Sequence, residues 1–410
     1  MKRIFTLMVL VSCTMMELHA QPIAPAWNKN IGGYHYEEPT NVISRGNHIV
    51  IAGYTVSQDG DFQGYIVPNG DFFWMQLDLD GNILRLRTYG GTNPDKCRYV
   101  IRTAEGGFLL VGMTQSTDID ATSNGIHIKP GQFLPEPDMW VVKINSRGEI
   151  EWQHAYGGFA SDEAMHVIQT DDNGDGRRDD GYAIVGRTTS NSDGDVTNYK
   201  GGQDTWVIKI SATGELQWQR TLGGSRNEYG RRIEQTPDGG YIVLSDTYSG
   251  DKDVEDFHGT GIGIYSDIWI VKLDPTGQNI EWQKAYGGDL NDVALSMTLI
   301  DDDGDGQKDD GFIITGEVES SNGNVPPRNS SQVGYDMILV KFNMNGDFQW
   351  HTRFGGTRSD RGNDVIQTND GGYAVLGSTE STNGDLAGTG SKGWVDIILL
   401  KYTANGTLEY

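Results

Sequence analysis

Short apolar runs of five to eight residues, each closed by Gly, Asn or Asp, follow one another through most of the chain. One stretch shows the scheme. Ala164 to Thr170, Tyr182 to Gly186, Asp204 to Ile210 and Glu215 to Thr221 are rich in Val, Ile, Trp and Tyr, and polar turn residues separate them. β-Branched and aromatic residues fit a pleated, half-buried surface, so these four runs predict four strands joined by turns. No stretch after the N-terminal segment sustains the 3.6-residue apolar period with caps that a helix requires.

The four-strand scheme repeats. A Gly-Gly pair recurs at Gly32, Gly90, Gly157, Gly223, Gly287 and Gly355, at spacings of 58 to 68 residues. Five residues before each pair stands Trp27, Arg85, Trp152, Trp218, Trp282 or Trp350. Six sheet units of this length predict an all-β chain folded as a six-bladed β-propeller of four-stranded antiparallel blades. Trp27 to Gly33 matches the end of a fourth strand with no strand before it, and the last unit ends at Thr407 to Tyr410. The N-terminal segment is therefore expected to complete the sixth blade and close the ring, which removes unpaired edges. Leu408 to Tyr410 also reads as the start of that fourth strand, and the two ends compete for one place.

Composition sharpens this picture. Glycine numbers 56 of 410 residues, which suits turns and not helical bundles. The formal charge of −25 argues against nucleic acid and anionic membrane surfaces as partners, and it favours divalent cations. Residues 1–20 carry Lys2 and Arg3, an apolar stretch from Ile4 to Met16, and Leu18-His19-Ala20 before Gln21. They read as an export signal, which leaves 21–410 as a single propeller domain at the cell surface or in the medium. Leu10-Val11-Ser12-Cys13 offers another reading, a lipoprotein box with a lipid anchor on Cys13. No later segment is apolar enough for a transmembrane span. Cys97 is the one cysteine outside the signal, so no intrachain disulfide is expected after cleavage.

Several polar residues recur in every unit, which points to structure before chemistry. Third strands open with Asp71, Asp138, Asp204, Asp267, Asp336 and Asp396. Four residues past each Gly-Gly pair stand Glu37, Asp95, Asp162, Glu228, Asp292 and Asp360. Both sets are expected to accept backbone hydrogen bonds, although six carboxylates about one axis also suit a central cation. Six residues past the pairs stand small residues, including Cys97, as expected for strands crowded at an axis. The third-strand lysines and fourth-strand tryptophans are expected to pack and pair within blades.

The pattern of Trp152 to Gly158, Asp238-Gly239-Gly240-Tyr241 and Asp204 to Lys209 resembles that of secreted β-propeller repeat proteins of Bacteroidota. Their units read W-x-x-x-Y-G-G, D-G-G-Y and D-x-W-x-x-K. The resemblance covers nearly all of the chain after the signal and implies architecture and export. Many members carry a C-terminal type IX sorting domain; none is recognised here.

Two first-to-second-strand hairpins depart from the short form. They read Asp171-Asp172-Asn173-Gly174-Asp175-Gly176-Arg177-Arg178-Asp179-Asp180 and Asp301-Asp302-Asp303-Gly304-Asp305-Gly306-Gln307-Lys308-Asp309-Asp310. Both match D-x-[DN]-x-D-G-x-x-D, where alternate oxygens and a sixth-position Gly let a short loop wrap one hard cation. The expected Ca²⁺ ligands are Asp171, Asn173, Asp175, the Arg177 carbonyl and Asp179 in one loop. In the other they are Asp301, Asp303, Asp305, the Gln307 carbonyl and Asp309. No Glu follows at the twelfth position, and the loops resemble the calcium hairpins of integrin α-subunit propellers. Their expected role is structural.

In a four-stranded meander these hairpins share one face. The long second-to-third loops share the other, and variable loops on a rigid scaffold commonly carry binding. Phe62, Tyr65, Phe133, Tyr199, Phe257 and Tyr265 lie in them. Asp59-Gly60-Asp61 and Asp193-Gly194-Asp195 there are further candidate cation sites. No G-x-S-x-G, H-E-x-x-H or Cys-His cluster is present. The reading is an exported, calcium-stabilised, non-enzymatic propeller that binds an extracellular glycan or surface protein. The alternatives are a secreted glycan-active hydrolase using carboxylates on that face, or a scaffold subunit of a surface assembly.

Overall fold

The computed structural model describes residues 28–122, 125–260, 263–328, 334–387 and 394–409. The expected signal, Cys13, the cleavage after Ala20 and Trp27 lie outside these residues. Blade 1 comprises β1 (Glu37–Arg45), β2 (His48–Thr55), β3 (Asp71–Asp78) and β4 (Ile83–Tyr89). Blade 2 comprises β5 (Asp95–Arg102), β6 (Phe108–Thr114), β7 (Asp138–Ile144) and β8 (Ile150–Tyr156). Blade 3 comprises β9 (Asp162–Thr170), β10 (Gly181–Thr188), β11 (Asp204–Ser211) and β12 (Leu216–Leu222). Blade 4 comprises β13 (Glu228–Gln235), β14 (Tyr241–Thr247), β15 (Asp267–Leu273) and β16 (Ile280–Tyr286). Blade 5 comprises β17 (Asp292–Ile300), β18 (Gly311–Val318), β19 (Asp336–Asn343) and β20 (Phe348–Phe354). Blade 6 comprises β21 (Asp360–Gln367), β22 (Tyr373–Thr379) and β23 (Asp396–Tyr402). Each sheet is an antiparallel meander in sequence order. Among the described residues, helix is confined to two single 3₁₀ turns at Gly60–Phe62 and Gly384–Leu386. The fold is the expected six-bladed β-propeller, all-β.

The core lies between blades. Ile242, Leu244, Ile268 and Ile270 of blade 4 pack on Phe312, Ile314, Ile338 and Val340 of blade 5. Middle strands of blades 2 to 5 are buried on both faces because each of these blades has a neighbour on either side, so β7, β15 and β18 read as continuous buried runs. The fourth-strand tryptophans serve the same junctions. Trp152 meets Tyr182, Trp218 meets Tyr241, Trp282 meets Phe312 and Trp350 meets Tyr373, each on the next blade's second strand. The third-strand lysines pair with acids of the first-to-second hairpins, as in Lys143–Glu105 at 2.9 Å and Lys401–Asp370 at 2.9 Å.

The small residues near the axis have a more specific reason than crowding. In every blade the first strand carries a bulge, and the residue at the bulge faces a small residue of the second strand. Cys97 faces Gly112, Ala164 faces Gly186 and Ala294 faces Gly316. A Cβ on Gly186 would overlap the Glu163 carbonyl oxygen. Blade 4 solves the contact the other way round, with Gly230 at the bulge and Ser245 opposite.

Of the segment expected to complete blade 6, Trp27 lies outside the described residues. Among the described residues, Asn28 to Tyr36 form no strand. The place beside β23 is taken from the C-terminal side, by a Tyr402–Leu408 bridge and a Glu409 N–H bond to the Lys401 carbonyl at 2.8 Å. The reason is locality: a tight turn with Gly406 in the left-handed region (φ 80°) brings Leu408 back at once. Ile31 packs beside Phe73 and Met75 of blade 1, as the fourth-strand Tyr156 packs on blade 3. Leu376, Ile397 and Leu399 on the outer face of blade 6 are 46, 84 and 68 % exposed. Their blade-5 counterparts Met337 and Leu339 are buried.

Candidate metal centres and insertion face

Both acidic hairpins adopt the same internal geometry. The first carboxylate of each is wrapped by the loop backbone. Asp171 Oδ1 accepts the Gly174 N–H and Oδ2 the Gly176 N–H, each at 2.8 Å. Asp301 accepts Gly304 and Gly306 at 2.7 and 2.8 Å. Asn173 Oδ1 accepts the Asp175 N–H, and Asp303 Oδ1 the Asp305 N–H. Gly176 and Gly306 sit at φ 83° and 91°, a turn that a side chain would strain. Oxygens of Asp301, Asp303 and Asp310 lie within 4.8 Å of one another. This donor set is oxygen only, which fits a hard cation such as Ca²⁺. The Asp309 carboxyl is raised by desolvation and then by its neighbours Asp305, Asp310 and Asp303.

The ninth positions behave differently from the first, third and fifth. Asp179 forms an ion pair with the Arg177 guanidinium at 2.9 Å, and its N–H bonds the Arg177 carbonyl. Gln307 donates its side-chain amide to Asp305 Oδ2 at 3.1 Å. Sequence reasoning passed over the tenth positions. Asp180 and Asp310 close the loops by accepting two N–H groups each, from Asp172 and Asn173 and from Asp302 and Asp303. The available signal was their place directly before the second strand.

Each hairpin is clasped by the next blade. Gln235 bonds both polar groups of the Asp171 backbone, at 2.9 and 3.0 Å, and Gln367 does the same to Asp301 at 2.9 and 2.7 Å. Lys209 and Lys341, from the hairpins' own blades, pair with Asp172 at 2.7 Å and Asp302 at 2.6 Å. A cation in the loop would thus brace a blade junction.

On the opposite face the carboxylates are consumed by turns. Asp95, Asp162, Glu228, Asp292 and Asp360 each accept the N–H of the second Gly of a pair, at 2.7 to 2.9 Å. Asp59, Asp61, Asp193 and Asp195 also accept backbone N–H groups of these turns, which is a structural role. Three third-strand acids have a basic side chain beside them. His127 lies 3.3 Å from Asp138, His258 3.1 Å from Asp267, and Arg353 2.5 Å from Asp336.

Asp71 has no such neighbour. It is buried, its Oδ1 has no partner, as in Asp138, Asp204 and Asp267, and Asp95 and Asp120 stand nearby. Burial first, and those two carboxylates second, raise it from 3.8 to about 8. The folded state then holds a proton that the unfolded state releases, so stability falls as pH rises from about 4 to 8. Asp71→Asn is expected to raise the melting temperature at pH 8 and to change it little at pH 4. Equal gains at both values in thermal melts would refute this assignment.

The insertion-loop aromatics divide. Phe62 is fully buried, Tyr65 packs beside it and donates its hydroxyl to the Leu86 carbonyl, and Phe257 packs on the blade 4 core. Phe133 is 98 % exposed, and Leu134, Ile119 and Ile128 of the same insertion are exposed as well. Of the fourth-strand histidines, His351 takes part in a 2.6 Å hydrogen bond with the Tyr286 hydroxyl. Among the described residues no helix is long and apolar enough to cross a membrane.

No family model and no curated protein matches the chain. Solved structures resemble it in fold. A protein of unknown function from Bacteroides caccae is 12 % identical over 88 % of this chain and 92 % of its own, with a TM-score of 0.41. The Neurospora crassa Pan2 WD40 domain is 10 % identical over 87 % and 78 %, with a TM-score of 0.46. The Pyrococcus horikoshii acylaminoacyl peptidase is 10 % identical over 91 % of this chain and 45 % of its own, with a TM-score of 0.42.

Proposed function

We propose that this protein is an exported propeller, stabilised by calcium in its two long hairpins, that binds an extracellular glycan or surface protein through the insertion face. One observation carries the binding reading: exposed apolar side chains gather on that face. Tyr34 and Tyr36 from the first Gly-Gly turn, Ile66, Phe133 and Leu134 from insertions, and Trp394 are all exposed. Apolar surface of this kind, on loops held by a rigid scaffold, is what a partner covers. The acids on the same face are tied to turns, which favours binding over catalysis.

The test is a glycan array and affinity capture from cell-surface extracts, run with the native chain and with the double variant Phe133→Ser, Leu134→Ser. These side chains touch little, so melting is expected to be unchanged while partner binding is lost. Retained binding would move the site elsewhere, and turnover of an array glycan would make the protein a hydrolase. Export is read from the mass of the mature N-terminus. Cleavage after Ala20 leaves Gln21 first; a lipid mass on Cys13 would replace that reading with the anchored one.

A further inference from the structure

The junction of blades 4 and 5 is built differently from those before it. At three other junctions the later blade turns a third-strand indole toward the earlier one: Trp140 onto blade 1, Trp206 onto blade 2 and Trp269 onto blade 3. Each donates its Nε1–H to a fourth-strand glutamine, Gln153, Gln219 or Gln283, at 2.7 to 2.9 Å. Blade 5 carries Ile338 and His351 in those two places. The tyrosine of the earlier blade changes with them. Tyr89 and Tyr156 donate their hydroxyls to the carbonyls of Gly148 and Gly214, in the next blade's third-to-fourth turn. Tyr286 instead pairs with His351 Nδ1 at 2.6 Å.

A cavity of about 400 Å³ lies at this junction, between β16 and the β19–β20 hairpin. Tyr286 and Phe342, both buried, lie at its base. Phe348, 49 % exposed, and the half-buried His351 form its accessible wall, edge to face with centroids 5.0 Å apart. Exposed Lys284 and Asp347 stand at the mouth, one charge of each sign. Asn324 is occupied by the Ala285 carbonyl and the Gly287 N–H. His351 keeps Nε2, because Tyr286 takes Nδ1, and burial lowers the imidazole pKa, which favours the neutral ring.

We infer that this cavity binds a small neutral aromatic ring bearing one hydroxyl, a phenol. The volume is at the small end of ligand sites and holds one substituted ring. Aromatic walls favour an aromatic guest packed edge to face or offset. His351 Nε2 meets the hydroxyl, and the balanced charges at the mouth give a net charge no advantage. The site is separate from the insertion face and does not depend on calcium.

Ligand-detected NMR titration tests it with p-cresol, against methylcyclohexanol, which keeps the shape and the hydroxyl but has no aromatic ring. Saturable p-cresol binding is expected, with a dissociation constant on the order of a millimolar or tighter, and methylcyclohexanol at least about tenfold weaker. Phe348→Ala is expected to weaken p-cresol about tenfold or more with little change in melting temperature, since the ring is half exposed. His351→Gln, which installs the residue of blades 2 to 4, should weaken p-cresol but leave toluene, which has no hydroxyl, bound as before. No saturable p-cresol binding, equal binding of methylcyclohexanol, or an unaffected Phe348→Ala would overturn the site. Tighter binding of benzoate than of p-cresol would overturn its neutrality. Equal losses of toluene and p-cresol in His351→Gln would overturn the hydrogen bond from Nε2.

Discussion

Removal of calcium is expected to lower the melting temperature of this protein by several degrees, and two single substitutions should each abolish part of that shift. Each loop gathers carboxylates into a few residues: Asp171, Asp175 and Asp180 in one, Asp301, Asp303, Asp305 and Asp310 in the other. A cation would relieve their mutual repulsion further, and the unfolded chain would bind one far less well. A site at a hundredfold excess of ion over its dissociation constant adds about 2.7 kcal/mol. Two such sites correspond to a shift of roughly 10 °C in a domain of a few hundred residues. The Gln235 and Gln367 clasps carry the effect into the junctions of blades 3 with 4 and 5 with 6. Asp175→Ala and Asp305→Ala should each remove about half of the calcium-dependent shift, and together most of it, as read in melts with and without EDTA. An identical melting curve in calcium and EDTA would leave the hairpins as solvated turns.

The largest loss of stability is expected from a single methyl group, in Gly186→Ala. The new Cβ would overlap the Glu163 carbonyl oxygen across the bulge of β9. That oxygen belongs to backbone in a buried sheet, so it cannot rotate away, and the strands must separate. Overpacking of this kind costs on the order of 3 kcal/mol or more. Gly371→Ala is the control. It sits at φ 77° with nothing within 4 Å of a Cβ, so only the backbone preference is felt, about 1–2 kcal/mol. Soluble expression and denaturant midpoints compare the two. If Gly186→Ala is the milder change, the bulge does not constrain the blade as described.

Much of the architecture could be read from the chain because a propeller is periodic. A Gly-Gly pair, an Asp opening each third strand and a Trp before each pair recur at nearly constant spacing, and each marks the same place in every blade. All six third strands begin at the expected Asp. The capping role of the acids four residues past the glycines could also be read, since a repeated carboxylate beside a turn is an acceptor before it is a catalyst. The hairpin motif placed Asp171, Asn173 and Asp175 around one loop, and Asp301, Asp303 and Asp305 around the other. It missed Asp310 because spacing along a chain does not say which of two adjacent acids turns inward.

The chain by itself determined the blade count, the strand order within each blade and the face that carries the acidic hairpins. These follow from local runs and turns, whose physics acts over a few residues. Only the tertiary structure decided how junctions are filled and charges balanced. It placed Gly186 against a bulge, left Asp71 without the side-chain partner that Asp138, Asp267 and Asp336 have, and bridged Leu408 to Tyr402. It also brought Tyr286 and His351, 65 residues apart in the chain, to one cavity. Such contacts depend on which blades become neighbours, and distance in space between residues far apart in the chain is written in no local pattern.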